Sequence, residues 1–182
     1  MPALMKLTLL ALLLSATVLS AQSLAPLPPD GFVTLAQIVS DFSTAPDAAN
    51  TKYSGQRVLV YGTVGQISQG EGGSSNPLAV YLQLPNNTTP DVKAVFTLSD
   101  IPPAGQDAAV QISGDGRQAT IFHRNIEGDL NRQQPFVTVG QNLGIRGTFD
   151  QLVAGDIVLK DAKKEEKGKL MEILKQHGIP TE

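Results

Sequence analysis

Apolar positions along the chain fall first at helical spacing and then at strand spacing. Thr34 stands where an N-cap belongs, and Leu35, Ile38, Val39 and Phe42 follow three or four residues apart, which predicts a short amphipathic helix. Pro46 interrupts that pattern, and Ala48, Ala49 and Tyr53 mark a second helical turn before the Ser54-Gly55 turn. The period then changes to two. In "RVLVYGTVGQI", from Arg57 to Ile67, Val58, Val60 and Val64 alternate with residues of the other face, and Gly62 stands where another inward side chain would be.

Four more strands follow by the same logic. "LAVYLQL" sets Val80, Leu82 and Leu84 on one face and Tyr81 and Gln83 on the other, and "VKAVFTL" is a third strand. "NLGIRGTF", from Asn142 to Phe149, alternates Leu143 and Ile145 among Gly144 and Gly147, and "IVLKDA" is a short last strand. Glycine inside a strong strand marks a bend or the close approach of another backbone, so Gly62 and Gly147 are expected at barrel corners. Between Leu98 and Gly140, "AAVQISGDGRQATIFHR" reads as an inserted β-hairpin about Ser113-Gly114-Asp115-Gly116, and "NIEGDLNRQQP" after it as surface loop. "KKEEKGKLMEILKQHG" gathers Leu170, Ile173 and Leu174 on one side of a C-terminal amphipathic helix, with Gly178 as C-cap and Pro180 as stop. The pattern predicts a mainly β protein. Five strands that curl and close, with a helix before and after and a hairpin inserted, form a Greek-key barrel of the OB-fold type.

The N-terminal residues change the picture of where such a barrel works. "MPALMKLTLLALLLSATVLSAQS" has one cation, Lys6, an apolar run from Leu7 to Leu14, and small residues up to Ala21, the layout of a secretory signal peptide. The apolar run is short for a bilayer span, which needs about 20 residues. Cleavage near Ala21 would give a product with no stable membrane insertion; an uncut anchor is the alternative. The expected organisation is a signal peptide over 1–21, an extended Pro-rich tether over 22–33, the barrel domain over 34–162 with its insertion at about 99–139, and the C-terminal helix over 163–182. The formal charge of −3 becomes −4 once Lys6 is removed. With no Cys, a lipid anchor on an N-terminal cysteine and a disulfide framework are both excluded, and stability rests on the core. A plain leader and no Cys suit a bacterial periplasm or secreted space. The sequons in "NNTT", residues 86–89, would matter only in a eukaryotic secretory route.

The segments "YSGQRVLVYGTV" and "GQNLGIRGTF…GDIVLKDA", with "VYLQL" and "VKAVF" between them, resemble the tRNA_anti-like family of OB-fold proteins, exported bacterial proteins of mostly unknown role. The resemblance covers about residues 35–98 and 139–162, and the long segment from Ser99 to Val139 departs from it. It implies the barrel and, by analogy with anticodon-binding domains, nucleic-acid binding.

OB-folds bind on the face of their second and third strands and with the loops flanking it. The candidate ligand-binding residues here are therefore Tyr81, Gln83, Lys93, Val95 and Thr97, with the loop from Gly70 to Asn76 able to close over a ligand. Single-strand binders need a basic groove and aromatic platforms. This face offers one tyrosine and one lysine on an acidic chain with only three Tyr, six Phe and no Trp. A protein or glycan of the cell envelope is thus the favoured partner, and single-stranded nucleic acid the alternative. "QGEGGSSN" lacks the lysine and the following helix of a phosphate loop and reads as a flexible connection. His123, with Arg124, Glu127 and Asp129, is the one cluster that suggests acid–base or metal chemistry, and a hydrolase built on it is a distant third reading. No nucleophile elbow or triad can be assigned, so no catalytic residue, metal or cofactor is expected. Lysines 160, 163, 164, 167, 169 and 175 are mixed with Glu165, Glu166 and Glu172, which predicts a solvated helix face; as a minor reading they meet an anionic membrane or glycan.

Overall fold

The computed structural model describes residues 24–71, 77–85, 91–101, 108–124, 127 and 129–180. The expected signal peptide, most of the loop at 70–76 and the sequons at 86–89 lie outside the described residues. Among these residues nine strands and three α-helices follow in the order β1 (Phe32–Thr34), α1 (Leu35–Thr44), α2 (Pro46–Tyr53), β2 (Arg57–Ser68), β3 (Leu78–Leu82), β4 (Val92–Phe96), β5 (Ala108–Ile112), β6 (Gln118–Arg124), β7 (Leu130–Thr138), β8 (Asn142–Val153), β9 (Asp156–Lys164) and α3 (Lys167–Gln176).

The barrel is built by two long strands that each pair on both sides. β2 pairs antiparallel with β8 from Arg57↔Thr148 to Thr63↔Asn142, then with β3 from Val64↔Leu82 to Ser68↔Ala79. β3 pairs with β4, β4 runs parallel to β9, and β9 returns antiparallel to β8, which closes the ring. This is the five-stranded OB barrel. Val58, Val60, Val64, Val80, Leu82, Val92, Ala94, Phe96, Ile145 and Leu159 are buried inside it, as the period-two pattern requires. Gly62 lies under Leu35 of α1: a Cβ there would come within 2.9 Å of the leucine side chain, so this glycine admits a helix rather than turning a corner. Gly147 does sit at a bend, opposite a bulge in β9, with Lys160 O 3.0 Å from the place of its Cβ.

Thr34 caps α1 by accepting from Gln37 N at 3.1 Å. Phe42 and Tyr53 then stack with centroids 5.6 Å apart, and Phe149 of β8 meets Phe42 at 5.3 Å, fixing both helices to the barrel. The expected tether is shorter than the sequence suggested. Phe32–Thr34 forms β1 alongside Leu59–Tyr61, and Leu24 and Leu27 pack against the core, so apolar residues among the prolines hold the segment down.

The insertion is a three-stranded sheet, β5-β6-β7, rather than a hairpin. The hairpin about Ser113–Gly116 is present, but the presumed loop continues as β7, which pairs with β6. β7 is an edge strand, where proline and polar residues are tolerated, so "LNRQQP" carries little apolar alternation. At its end Phe136 and Val137 enter the core, with Phe136 edge-on to Phe96 at 5.5 Å. Lys164 fixes this contact by donating to Phe136 O at 2.5 Å over the same ring. β9 runs on to Lys164, so α3 begins at Lys167. Leu170, Ile173 and Leu174 of α3 bury a second cluster with Phe32 and Leu59. Gly178, at φ +68°, ends the helix with Ile179 N donating to Leu174 O and Gly178 N to Lys175 O, a Schellman closure. His177 stacks on Phe32 and bonds Asp30 at 2.8 Å, tying the helix end to the N-terminal segment. Among the described residues no helix is long and apolar enough to cross a membrane.

Candidate functional site

Alternation along β3 and β4 turns Tyr81, Lys93 and Val95 outward while Leu82, Val92, Ala94 and Phe96 are buried, and the register pairs Tyr81 with Lys93. These three residues and Thr97 line one wall of a cleft of about 490 Å³. Four of the five residues expected from sequence thus share one concavity. Gln83 does not line it. Its amide donates to Asp91 Oδ2 at 2.7 Å, and its side chain lies over Gly65, so it closes the end of the β3–β4 ladder. The Thr97 hydroxyl is bonded to the Asp100 carboxylate and to Ser99 Oγ, which anchors the far end of the wall.

The opposite wall is the β8–β9 hairpin, which sequence reasoning did not assign. Ala154 and Gly155 have φ of +51° and +94°, the positive pair that a type I′ hairpin turn requires. The tip carries Val153 against the cleft. Further along, Arg146↔Lys163 and Thr148↔Lys160 leave Asp161 and Ala162 together opposite Gly147, a β-bulge with Asp161 at φ +50°. A bulge re-aims the side chains beside it, and Asp161 lines the cleft. The turn "VAGD" was the available sequence signal for this wall.

The cleft carries charges of both signs. Its ionisable lining is Glu71, Asp150, Asp156 and Asp161 against Lys93 and Lys160, four acids to two bases. Both lysines are engaged. Lys93 Nζ lies 2.6 Å from Glu71 Oε1 and 5.8 Å from the Tyr81 ring centroid; Lys160 Nζ lies 2.8 Å from Asp150 Oδ2. The hydrogen bond between Lys93 and Glu71 moves the lysine above its ordinary range and the glutamate below. Asp156 behaves oppositely. Burial, and then the charge of Asp91, push its carboxyl up, and Lys93 offsets only part of this. Among the described residues neither Asp156 nor Asp161 has an ion-pair partner.

A second cavity, about 640 Å³, lies beside α3 between Tyr61, Asn142 and Met171, and its Lys164, which burial moves below the ordinary lysine range, is the clamp on Phe136. His123 stands in β6 opposite Ala108 and Arg132, away from the cleft, and its Nε2 is buried without a hydrogen bond among the described residues. No group of His, Asp and Glu suited to a metal occurs among the described residues. Of the lysines expected on one helix face, Lys160, Lys163 and Lys164 stand on β9 instead; Lys163 reaches the buried Asp100 and Lys169 reaches Glu165, each at 3.5 Å.

No curated protein matches the chain. A solved structure of a lipoprotein from Klebsiella pneumoniae subsp. pneumoniae, provisionally named nucleic acid-binding, is similar at 17% identity over 74% of this chain and 91% of that one, with a TM-score of 0.47. The family model described as tRNA_anti-like matches residues 14–163, which takes in all five barrel strands up to the penultimate residue of β9. The chain belongs to the tRNA_anti-like family.

Proposed function

We propose that the protein is an exported, non-enzymatic binding module of the bacterial cell envelope that recognises a protein or glycan partner through the outer face of β3 and β4. The observation that carries this reading is the cleft itself. It lies on the face with which OB barrels engage ligands, and it combines an aromatic ring with apolar and hydrogen-bonding side chains. Binding there needs surface complementarity only, with no bond made or broken.

Single-stranded nucleic acid is the competing reading, favoured by the Tyr81 ring with Lys93 beside it, the pair of features a single-strand groove uses. Against it, Lys93 is neutralised by Glu71, and the acids that remain would repel phosphates, whose contacts dominate nucleic-acid affinity. Fluorescence anisotropy with labelled single-stranded DNA and RNA, at low and at physiological salt, separates the two. The proposed reading expects no binding at either salt. Salt-sensitive binding lost in Tyr81→Ala and Lys93→Ala would replace it with the nucleic-acid reading.

A further inference from the structure

Asp156 and Asp161 face the cleft from two different parts of β9, one just after the hairpin turn and one on the bulge. The two lysines that line the cleft are paired with Glu71 and Asp150, and Lys93 offsets only part of the rise in the Asp156 carboxyl. Asp91, bonded to Gln83 behind Asp156, adds to the negative field there. At the mouth Val153 is 43% exposed, one of only two large hydrophobic side chains so exposed among the described residues. A neutral ligand covering this site would take the half-buried Asp156 and the exposed Asp161 out of water without a counter-charge, which is costly; an anionic one would add repulsion. A cationic ligand would cancel both effects, and an apolar group beside the cation would cover Val153.

We infer that the occupant of the β3–β4 cleft is a short basic segment of a partner protein, with lysine or arginine side chains at Asp156 and Asp161 and an apolar side chain against Val153. This rests on the cleft being the binding face and adds the chemistry of its partner. The charge match would also steer association, so binding should weaken as salt rises.

The test is a titration of the purified protein with three probes: a labelled peptide alternating lysine or arginine with leucine, the same peptide with glutamate in place of its cations, and a neutral oligosaccharide. The protein is used as wild type, as Asp156→Asn/Asp161→Asn, and as Glu166→Gln/Glu172→Gln, which removes equal charge from exposed positions around α3. Asparagine tolerates the left-handed backbone at 161, so the fold is kept, and circular dichroism checks it. The expected result is binding of the basic peptide alone, weakened about tenfold or more in the β9 double variant and little changed in the α3 variant. Equal binding to both variants, or none to wild type, overturns the inference. If the oligosaccharide binds instead and Tyr81→Ala abolishes it, the cleft remains the binding face and only the basic partner is wrong. If no probe binds and labelled single-stranded DNA does, both readings fail. A dimer in sedimentation that dissociates in Asp156→Asn/Asp161→Asn would make the occupant a second copy and would also overturn the inference.

Discussion

Two aspartates in this molecule have opposite surroundings. Asp41, on α1, is 2% exposed and accepts from Gln37 Nε2 at 2.6 Å, Lys52 Nζ at 2.8 Å and Tyr53 Oη at 2.7 Å. Burial would raise its carboxyl, but the bonds from Lys52, Tyr53 and Gln37 outweigh that and hold it below the usual range. The same knot, after burial itself, pushes the Tyr53 phenol far up. Asp156 is also partly drawn out of water, but Lys93 offsets only part of that burial and of the Asp91 charge, and its carboxyl rises. The filled carboxylate belongs to the fold, because it joins α1 to α2 beneath the barrel core. The unfilled one is a cost that the fold alone does not explain, and a bound cation would remove it.

The largest effect should come from the filled site. Asp41→Ala leaves the Tyr53 hydroxyl buried without its acceptor and should cost about 3 kcal/mol in denaturant unfolding, with cleft binding unchanged in the folded protein. A loss under about 1 kcal/mol would mean that the knot is dispensable. Asp156→Asn should instead leave Tm unchanged or slightly raised, because it removes an unpaired charge beside Asp91. A clear fall in Tm would reveal a structural partner.

pH separates the two with opposite signs. Asp41's folded pKa is depressed, so its contribution is fully present above the unfolded value of 3.8 and is lost as pH falls through the lower folded value. Asp30, where bonds from His177 and the Phe32 amide outweigh burial, is lost in the same window. Asp156's folded pKa is raised, so its ionised form costs stability, and that cost disappears as pH falls through the raised value. Denaturant midpoints of wild type and Asp41→Asn should therefore diverge above pH 3.8 and converge below it, and the advantage of Asp156→Asn should shrink on acidification. A small effect is also expected for Gln83→Ala, which loses one partly exposed cross-strand bond: about 1 kcal/mol or less, with cleft binding retained.

How much of this was legible in the sequence follows from how local each feature is. The barrel walls were readable because a half-buried strand writes its two faces into alternate positions, as Val92, Ala94 and Phe96 against Lys93 and Val95 do. β7 was not, since an edge strand paired on one side can be polar. One wall of the cleft was found from the same alternation. The other, on β8 and β9, comes more than fifty residues later and depends on a bulge that re-aims Asp161, which periodicity cannot register. Asp41 escaped notice because an acid on an amphipathic helix normally reads as surface, and only the return of Lys52 and Tyr53 in α2 buries it.

The most direct test is a two-dimensional amide NMR titration of the isotope-labelled protein, with a basic peptide in one series and single-stranded DNA in the other. The account predicts that the peptide shifts the amides of Tyr81, Lys93, Val95, Val153 and Asp156 and that DNA leaves them in place. Shifts at these positions with DNA, or peptide shifts confined to α3 or to the β5–β7 sheet, would contradict it.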